Sequence, residues 1–216
     1  MNIVLLGPPG SGKGTQAKRI EQAHDIPHLA TGDMLRAAIA SGSALGRRVK
    51  DTMDKGELVA DDIIIALIRD RIGLADCGNG FILDGFPRTV PQAEALDRML
   101  EEKRLRLDAV IEFVVREPEL VDRLSGRFTC TTCGASYHDR HNPTKVEGVC
   151  DGCGGREFER RADDRPEAVR TRFRVYREQT EPLLSYYEKQ GILQPVEGMA
   201  DIDEVTRQIE AVIADI

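Results

Sequence analysis

The segment Gly7-Pro-Pro-Gly-Ser-Gly12-Lys13-Gly14-Thr15 joins a short apolar run, IVLL, to a stretch with helical pattern. Its glycines let successive backbone N–H groups turn inward around a phosphate, and the helix that follows adds the positive end of its dipole. Lys13 then reaches the outer phosphates of a nucleotide. The usual pattern has Ser or Thr directly after the lysine as a magnesium ligand, but Gly14 stands there and Thr15 comes one residue later. Magnesium arriving with a nucleotide is therefore expected to be held mainly through water, with Asp84 or Asp33 anchoring that shell.

A second constellation is Cys130-x-x-Cys133 and Cys150-x-x-Cys153, with sixteen residues between the pairs. Two tight turns at this spacing bring four thiolates into a tetrahedron, as in a zinc ribbon. A closed shell of four thiolates leaves no position for water or substrate, so the expected Zn2+ is structural. Disulfides are the alternative, disfavoured in a reducing compartment. A zinc deaminase is disfavoured because no H-x-E precedes the cysteines. His138 and His141 read as packing or surface residues, with a nucleotide contact by His138 as the other option. Cys77 reads as a small buried apolar thiol.

The elements that must hold these groups show as an alternation. Apolar runs recur at residues 81–83, 109–115 and 192–196, separated by amphipathic stretches at 61–72, 90–103 and 166–187. This predicts an α/β fold with a parallel sheet. Two regions interrupt it. Residues 31–59 are helical with no strand, with Thr31 expected as an N-cap. Residues 126–164 hold both cysteine pairs and lack a helical period. The chain of 216 residues suits one α/β unit with insertions. The aliphatic stretch from Ile63 is far short of the ~20 residues that span a bilayer, and no charged lead-in opens the chain, so a soluble cytoplasmic protein is expected, with no membrane partner. The formal charge of −7 argues against a broad nucleic-acid surface.

The segments GPPGSGKGT at 7–15, TGDMLR at 31–36 and FILDGFPRTVPQ at 81–92 together resemble the nucleoside monophosphate kinases, and among them the adenylate kinases. VDRLSGR from Val121, RRADDRPEAVRTR from Arg160 and PLLSYY from Pro182 extend the resemblance over nearly the whole chain. It implies a P-loop NTPase fold, a five-stranded parallel sheet flanked by helices. Residues 1–30, 60–125 and 165–216 would form the core, 31–59 an AMP-binding arm and 126–164 a zinc-bearing lid. The implied activity is reversible phosphoryl transfer from MgATP to AMP, giving two ADP and maintaining adenine nucleotide balance. A monomer is implied.

The same resemblance assigns residues. ATP would meet Gly10, Ser11, Gly12, Lys13, Gly14 and Thr15, with Arg127, the backbone of Ser136 and Tyr137, and Ala200. AMP would meet Thr31, Arg36, Glu57, Leu58, Val59, the turn Gly85, Phe86, Pro87 and Arg88, then Gln92, Arg161 and Arg172. Gln92 has the amide donor and acceptor that can pair with an adenine edge. Phosphoryl transfer leaves little covalent work for a protein, so the catalytic groups expected are charges: Lys13, Arg88, Arg123, Arg161 and Arg172. Asp163 and Asp164 would orient neighbouring arginines. A lid closed over the donor would keep water from it. A UMP/CMP kinase would be expected to have a short lid and another residue at position 92. A nucleic-acid-binding regulator would need clustered aromatics and a basic surface.

Overall fold

A computed structural model describes residues 1–216, with the side chains of Glu117 and Pro118 left aside. Five parallel strands form the central sheet: β1 (Asn2–Leu6), β2 (His28–Ala30), β3 (Phe81–Asp84), β4 (Ala109–Val114) and β8 (Leu193–Glu197), in the order β2-β3-β1-β4-β8. Every residue of β1 is buried, as a strand covered by helices on both faces requires. Its side chains alternate between two cores. Val4 and Leu6 join Leu83, Leu96 and Tyr187 on one face, and Ile3 and Leu5 join Ile20, Phe113 and Ile209 on the other.

The helices divide accordingly. On the first face lie α4 (Asp61–Arg71), α5 (Val90–Glu102) and α8 (Pro182–Lys189); on the second, α1 (Lys13–His24) and α9 (Ile202–Ala214). The loop after β1 therefore leaves toward one face and the loop after β3 toward the other. A crevice opens between them at the strands' C-terminal ends, where Leu5 and Asp84 are paired in register.

Two departures from the central sheet stand over this crevice. Helices α2 (Thr31–Ala40) and α3 (Ala44–Asp54) form one, within the helical stretch expected at 31–59. After α6 (Glu117–Ser125) comes the other, an antiparallel sheet of β5 (Arg127–Cys130), β6 (Ser136–His138) and β7 (Phe158–Glu159) in the order β6-β5-β7. Its own core is small: Phe128, Tyr137 and Phe158 with ring centroids 5.4 to 5.8 Å apart, against buried Cys130 and Cys150.

Three local expectations change. Thr31 is the first residue of α2 and not its cap; Ala30 holds the cap position, and the Thr31 hydroxyl donates to the Gly85 carbonyl at 2.8 Å. The helical stretch 166–187 is interrupted, since α7 (Pro166–Val175) passes through a π-helical segment, Tyr176–Thr180, before α8. Strand β2 adds a three-residue edge that no apolar run announces.

Candidate active site

The loop after β1 and the turn after β3 share one cleft of about 1280 Å3. Gly12, with φ +97°, sits in the left-handed region at the head of α1, where glycine carries no steric cost. Lys13 folds back over the loop. Its Nζ donates to the carbonyls of Gly7 at 2.8 Å and Pro8 at 2.9 Å, and to Ser11 Oγ at 3.2 Å. Burial pulls the ammonium down to about 8, with Asp84 opposing the fall and Arg88 and Arg172 adding to it.

Asp84 ends β3 beside the loop, and a Cβ added at Gly14 would lie 3.4 Å from its Oδ2. Burial would raise this carboxyl, but the hydrogen bond from His28 and the charge of Lys13 hold it below the ordinary carboxylate range. His28 Nε2 stands 3.2 Å from Asp84 Oδ2. Nothing in the sequence marks this contact. His28 lies in the edge strand before the TGDMLR segment, outside every motif.

The turn after β3 is tightly built. Gly85 has φ +80°, and a Cβ there would meet Thr31 Oγ1 at 2.8 Å and Arg88 Nη2 at 2.9 Å. Arg88 is fixed through its whole length: Nε donates to the Gly85 carbonyl at 2.9 Å, its backbone N–H to Gln92 Oε1 at 2.8 Å, and its own carbonyl accepts from Thr180 at 2.9 Å. Thr180 is the last residue of the π-helical segment. Burial and repulsion from Arg172 bring the Arg88 guanidinium down to about 10. Gln92 is buried, 2 % exposed, and its Nε2 donates to Asp61 Oδ1 at 2.6 Å.

The other arginines converge from both ends of the β5–β7 insertion. Arg127 grips Asp164 with two bonds, and Arg172 donates to the same carboxylate at 2.9 Å and to the Asp163 backbone carbonyl at 3.1 Å, with the Asp163 carboxylate in ion-pair range at 3.0 Å. Burial would raise Asp163, but Arg172, Arg36, Arg127 and Arg161 outweigh it and hold it low. Arg161 is drawn down to about 10 by burial, then by Arg127 and Arg36. Asp33 is engaged by Arg36 at 2.5 Å and by Arg161 at 3.5 Å. Arg123 donates to the Gly198 carbonyl at 3.2 Å, next to Ala200.

Every residue expected to meet ATP borders the cleft, as does every residue expected to meet AMP except Phe86, which is fully buried in the core beneath the turn. The Tyr137 side chain points into the insertion's own core, where its hydroxyl lies 3.2 Å from Cys150 Sγ. His138 is buried as packing: Nε2 meets the Asp122 carbonyl at 3.0 Å, and Nδ1 accepts backbone N–H groups from Arg140 and His141. Both ring nitrogens are thus engaged.

The four sulfurs gather within 4.8 Å of one another, with Cys130 to Cys153 at 3.7 Å and Cys133 to Cys150 at 3.5 Å. A disulfide needs ~2.05 Å. Tetrahedral thiolates at the usual zinc distance stand ~3.8 Å apart, so the donor set fits the ion. The Tyr137 hydroxyl, ahead of opposing burial, draws the Cys150 thiol down, while at Cys153 the Gly155 N–H opposes and the crowded neighbouring sulfurs push the thiol up, as four thiols packed together without a cation must divide their protons.

The sequence model of one family, described as Adenylate kinase, matches residues 5–192. The chain belongs to the adenylate kinase family. It is 56 % identical over 214 residues to an adenylate kinase of Rhizobium rhizogenes, covering 99 % of both chains. It is 53 % identical over 216 residues to that of Archaeoglobus fulgidus, covering 100 % of this chain and 99 % of the relative. An adenylate kinase of Methanosarcina barkeri is 53 % identical over 213 residues, with 99 % and 98 % coverage. The matched span includes the Gly7 to Thr15 loop, the Gly85 to Arg88 turn and all four clustered cysteines.

Proposed function

We propose that this adenylate kinase family member moves a phosphoryl group reversibly from MgATP to AMP, giving two ADP, with the donor on the Gly10 to Thr15 loop and the acceptor between α2 and the Gly85 to Arg88 turn. One observation carries the reading. Lys13 and Arg88 face one cleft from opposite sides of the β1/β3 crevice, and Arg172 adds its charge to both. Fixed cations around one point suit a reaction whose charge lies on the equatorial oxygens of the moving group.

In this reading Lys13 gives up its three loop acceptors for the outer phosphates of ATP, while Arg123 and Arg127 hold the same chain of phosphates from the lid side. Arg88 and Arg36 grip the AMP phosphate, and Arg161 and Arg172 bridge the two nucleotides. Thr31, the backbone of Glu57 to Val59, and Gln92 bound the AMP nucleoside. The backbone of Ser136 and Tyr137, with Ala200, bounds ATP. No general base is required, because the phosphate nucleophile is already ionised. Magnesium entering with ATP neutralises phosphate charge. Asp84 suits its water shell better than Asp33, whose carboxylate Arg36 and Arg161 already hold.

Residues 31–59 act as the AMP arm and 126–164 as the lid. Cys130, Cys133, Cys150 and Cys153 would hold Zn2+, which supplies shape to the lid and no step of the reaction. Four free thiols clustered for a metal favour a cytoplasmic setting, and no described helix is long and apolar enough to cross a membrane. The reading takes the chain as a monomer, which sedimentation tests directly. A coupled assay offering ATP with AMP, CMP, UMP or GMP tests the function. AMP is expected to be preferred, and preference for another base overturns the assignment.

A further inference from the structure

We propose that Asp61, which touches no nucleotide in this reading, sets the base specificity of the cleft by fixing which way round the Gln92 amide is held. The proposal rests on the reading that places adenine at Gln92.

A glutamine amide has two N–H donors and two acceptor lone pairs. In Gln92, one N–H goes to Asp61 Oδ1 at 2.6 Å, and one lone pair receives the Arg88 backbone N–H at 2.8 Å. The carboxylate is itself fixed, since Thr89 Oγ1 donates to Asp61 Oδ2 at 3.1 Å. Thr89 caps α5 at the same time, accepting the Gln92 backbone N–H at 3.3 Å. Turning the amide over would set its oxygen against the Asp61 carboxylate and its NH2 against the Arg88 N–H. Both contacts would be lost in a position only 2 % exposed, where water cannot replace them.

The polarity is therefore fixed, and one N–H and one lone pair are left over. That pair matches adenine, whose exocyclic N6 donates and whose neighbouring ring nitrogen accepts. Hypoxanthine presents the reverse, an O6 acceptor beside an N1–H donor. Asp61 acts here as a positioning residue. It borders a smaller recess with Arg174 and Gln179 and does not line the main cleft. Its ordinary alternative role is an acidic first residue of α4, favourable to the helix dipole, and the adjacent Asp62 serves that equally.

The test uses the full-length protein with ATP and either AMP or inosine monophosphate as acceptor. The wild type should favour AMP. Asp61→Leu, which removes both acceptors, should lower the ratio of kcat/KM for AMP over inosine monophosphate by about tenfold, chiefly through KM for the acceptor, with KM for ATP unchanged. Asp61→Asn keeps Oδ1 toward Gln92 and should restore most of the ratio. A purely helix-stabilising Asp61 would lower the melting temperature in Asp61→Leu and leave the ratio alone, which overturns the proposal. A wild type indifferent between the two acceptors overturns the adenine reading itself and the proposal with it. Should Asp61→Leu not fold, the wild type still decides by NMR. One Gln92 side-chain amide proton should exchange slowly with solvent without nucleotide present; fast exchange of both overturns the proposal.

Discussion

Arg127 closes on Asp164 with two hydrogen bonds of 2.8 and 2.6 Å, tying the first residue of β5 to the segment that returns the chain to the core. Arg172 shares the same carboxylate, so one buried anion balances two cations before any phosphate arrives. Asp164→Ala should destabilise the free protein by ~3 kcal/mol, chiefly the cost of leaving Arg127 without its partner, since Arg172 keeps Asp163. Saturating ATP with AMP should raise the melting temperature more in the variant than in the wild type, because phosphate can occupy the carboxylate's place. Differential scanning with and without nucleotides measures both effects.

Lys13 predicts a proton count. Its ammonium lies at about 8 in the free protein against 10.5 unfolded. Above about 8 the free site is progressively neutral, and a polyphosphate that restores the charge must draw in a proton. Nucleotide titrations in two buffers of different ionisation enthalpy should show uptake, absent in Lys13→Ala. The linkage for stability has the same sign. Between about 8 and 10.5 the unfolded chain binds the extra proton, so the free protein gains stability from this group as pH rises.

Arg88 separates function from folding. Burial and Arg172 depress its guanidinium, so its charge works against the empty fold while its site awaits a phosphate. Arg88→Ala should cut kcat by ~10²–10³-fold, as loss of one transition-state donor does. Its melting temperature without nucleotide should stay level or rise. A fall of several degrees would show that the side chain's bond to the Gly85 carbonyl matters more than its charge.

Metal removal should act in the opposite way. The insertion's own core is three aromatic rings and two cysteines, too little to hold its residues alone. Cys130→Ser, or exhaustive chelation, should lower the melting temperature by ~10 °C, with modest loss of turnover at low temperature. Elemental analysis should find one zinc per chain in the wild type. Unchanged melting with lost turnover would put the metal in the chemistry instead.

Much of this was legible in the residues, for physical reasons. Strands β1 and β3 are buried on both faces and appear as the apolar runs at 3–6 and 81–83, and β4 as a run broken only by Glu112, whereas β2 is a three-residue edge with one buried side chain and leaves no periodic trace. The π-helical turn at Tyr176–Thr180 adds backbone without altering composition, so 166–187 reads as continuous helix although the irregularity delivers Thr180 to the Arg88 carbonyl. Lys13 and the cysteines announce themselves by spacing. Asp61 and His28 do not. An acidic residue opening a helix and a histidine in a short strand are ordinary in sequence, and only their distances to Gln92 and Asp84 give them meaning.

Lys13 holding the carbonyls of its own loop has a further consequence for a reaction that must run both ways. When product leaves, the lysine has acceptors waiting, and the emptied loop keeps its curvature without help from solvent. On the proposed reading the lysine exchanges one set of oxygens for another as phosphate arrives and departs, so its charge has partners in both states.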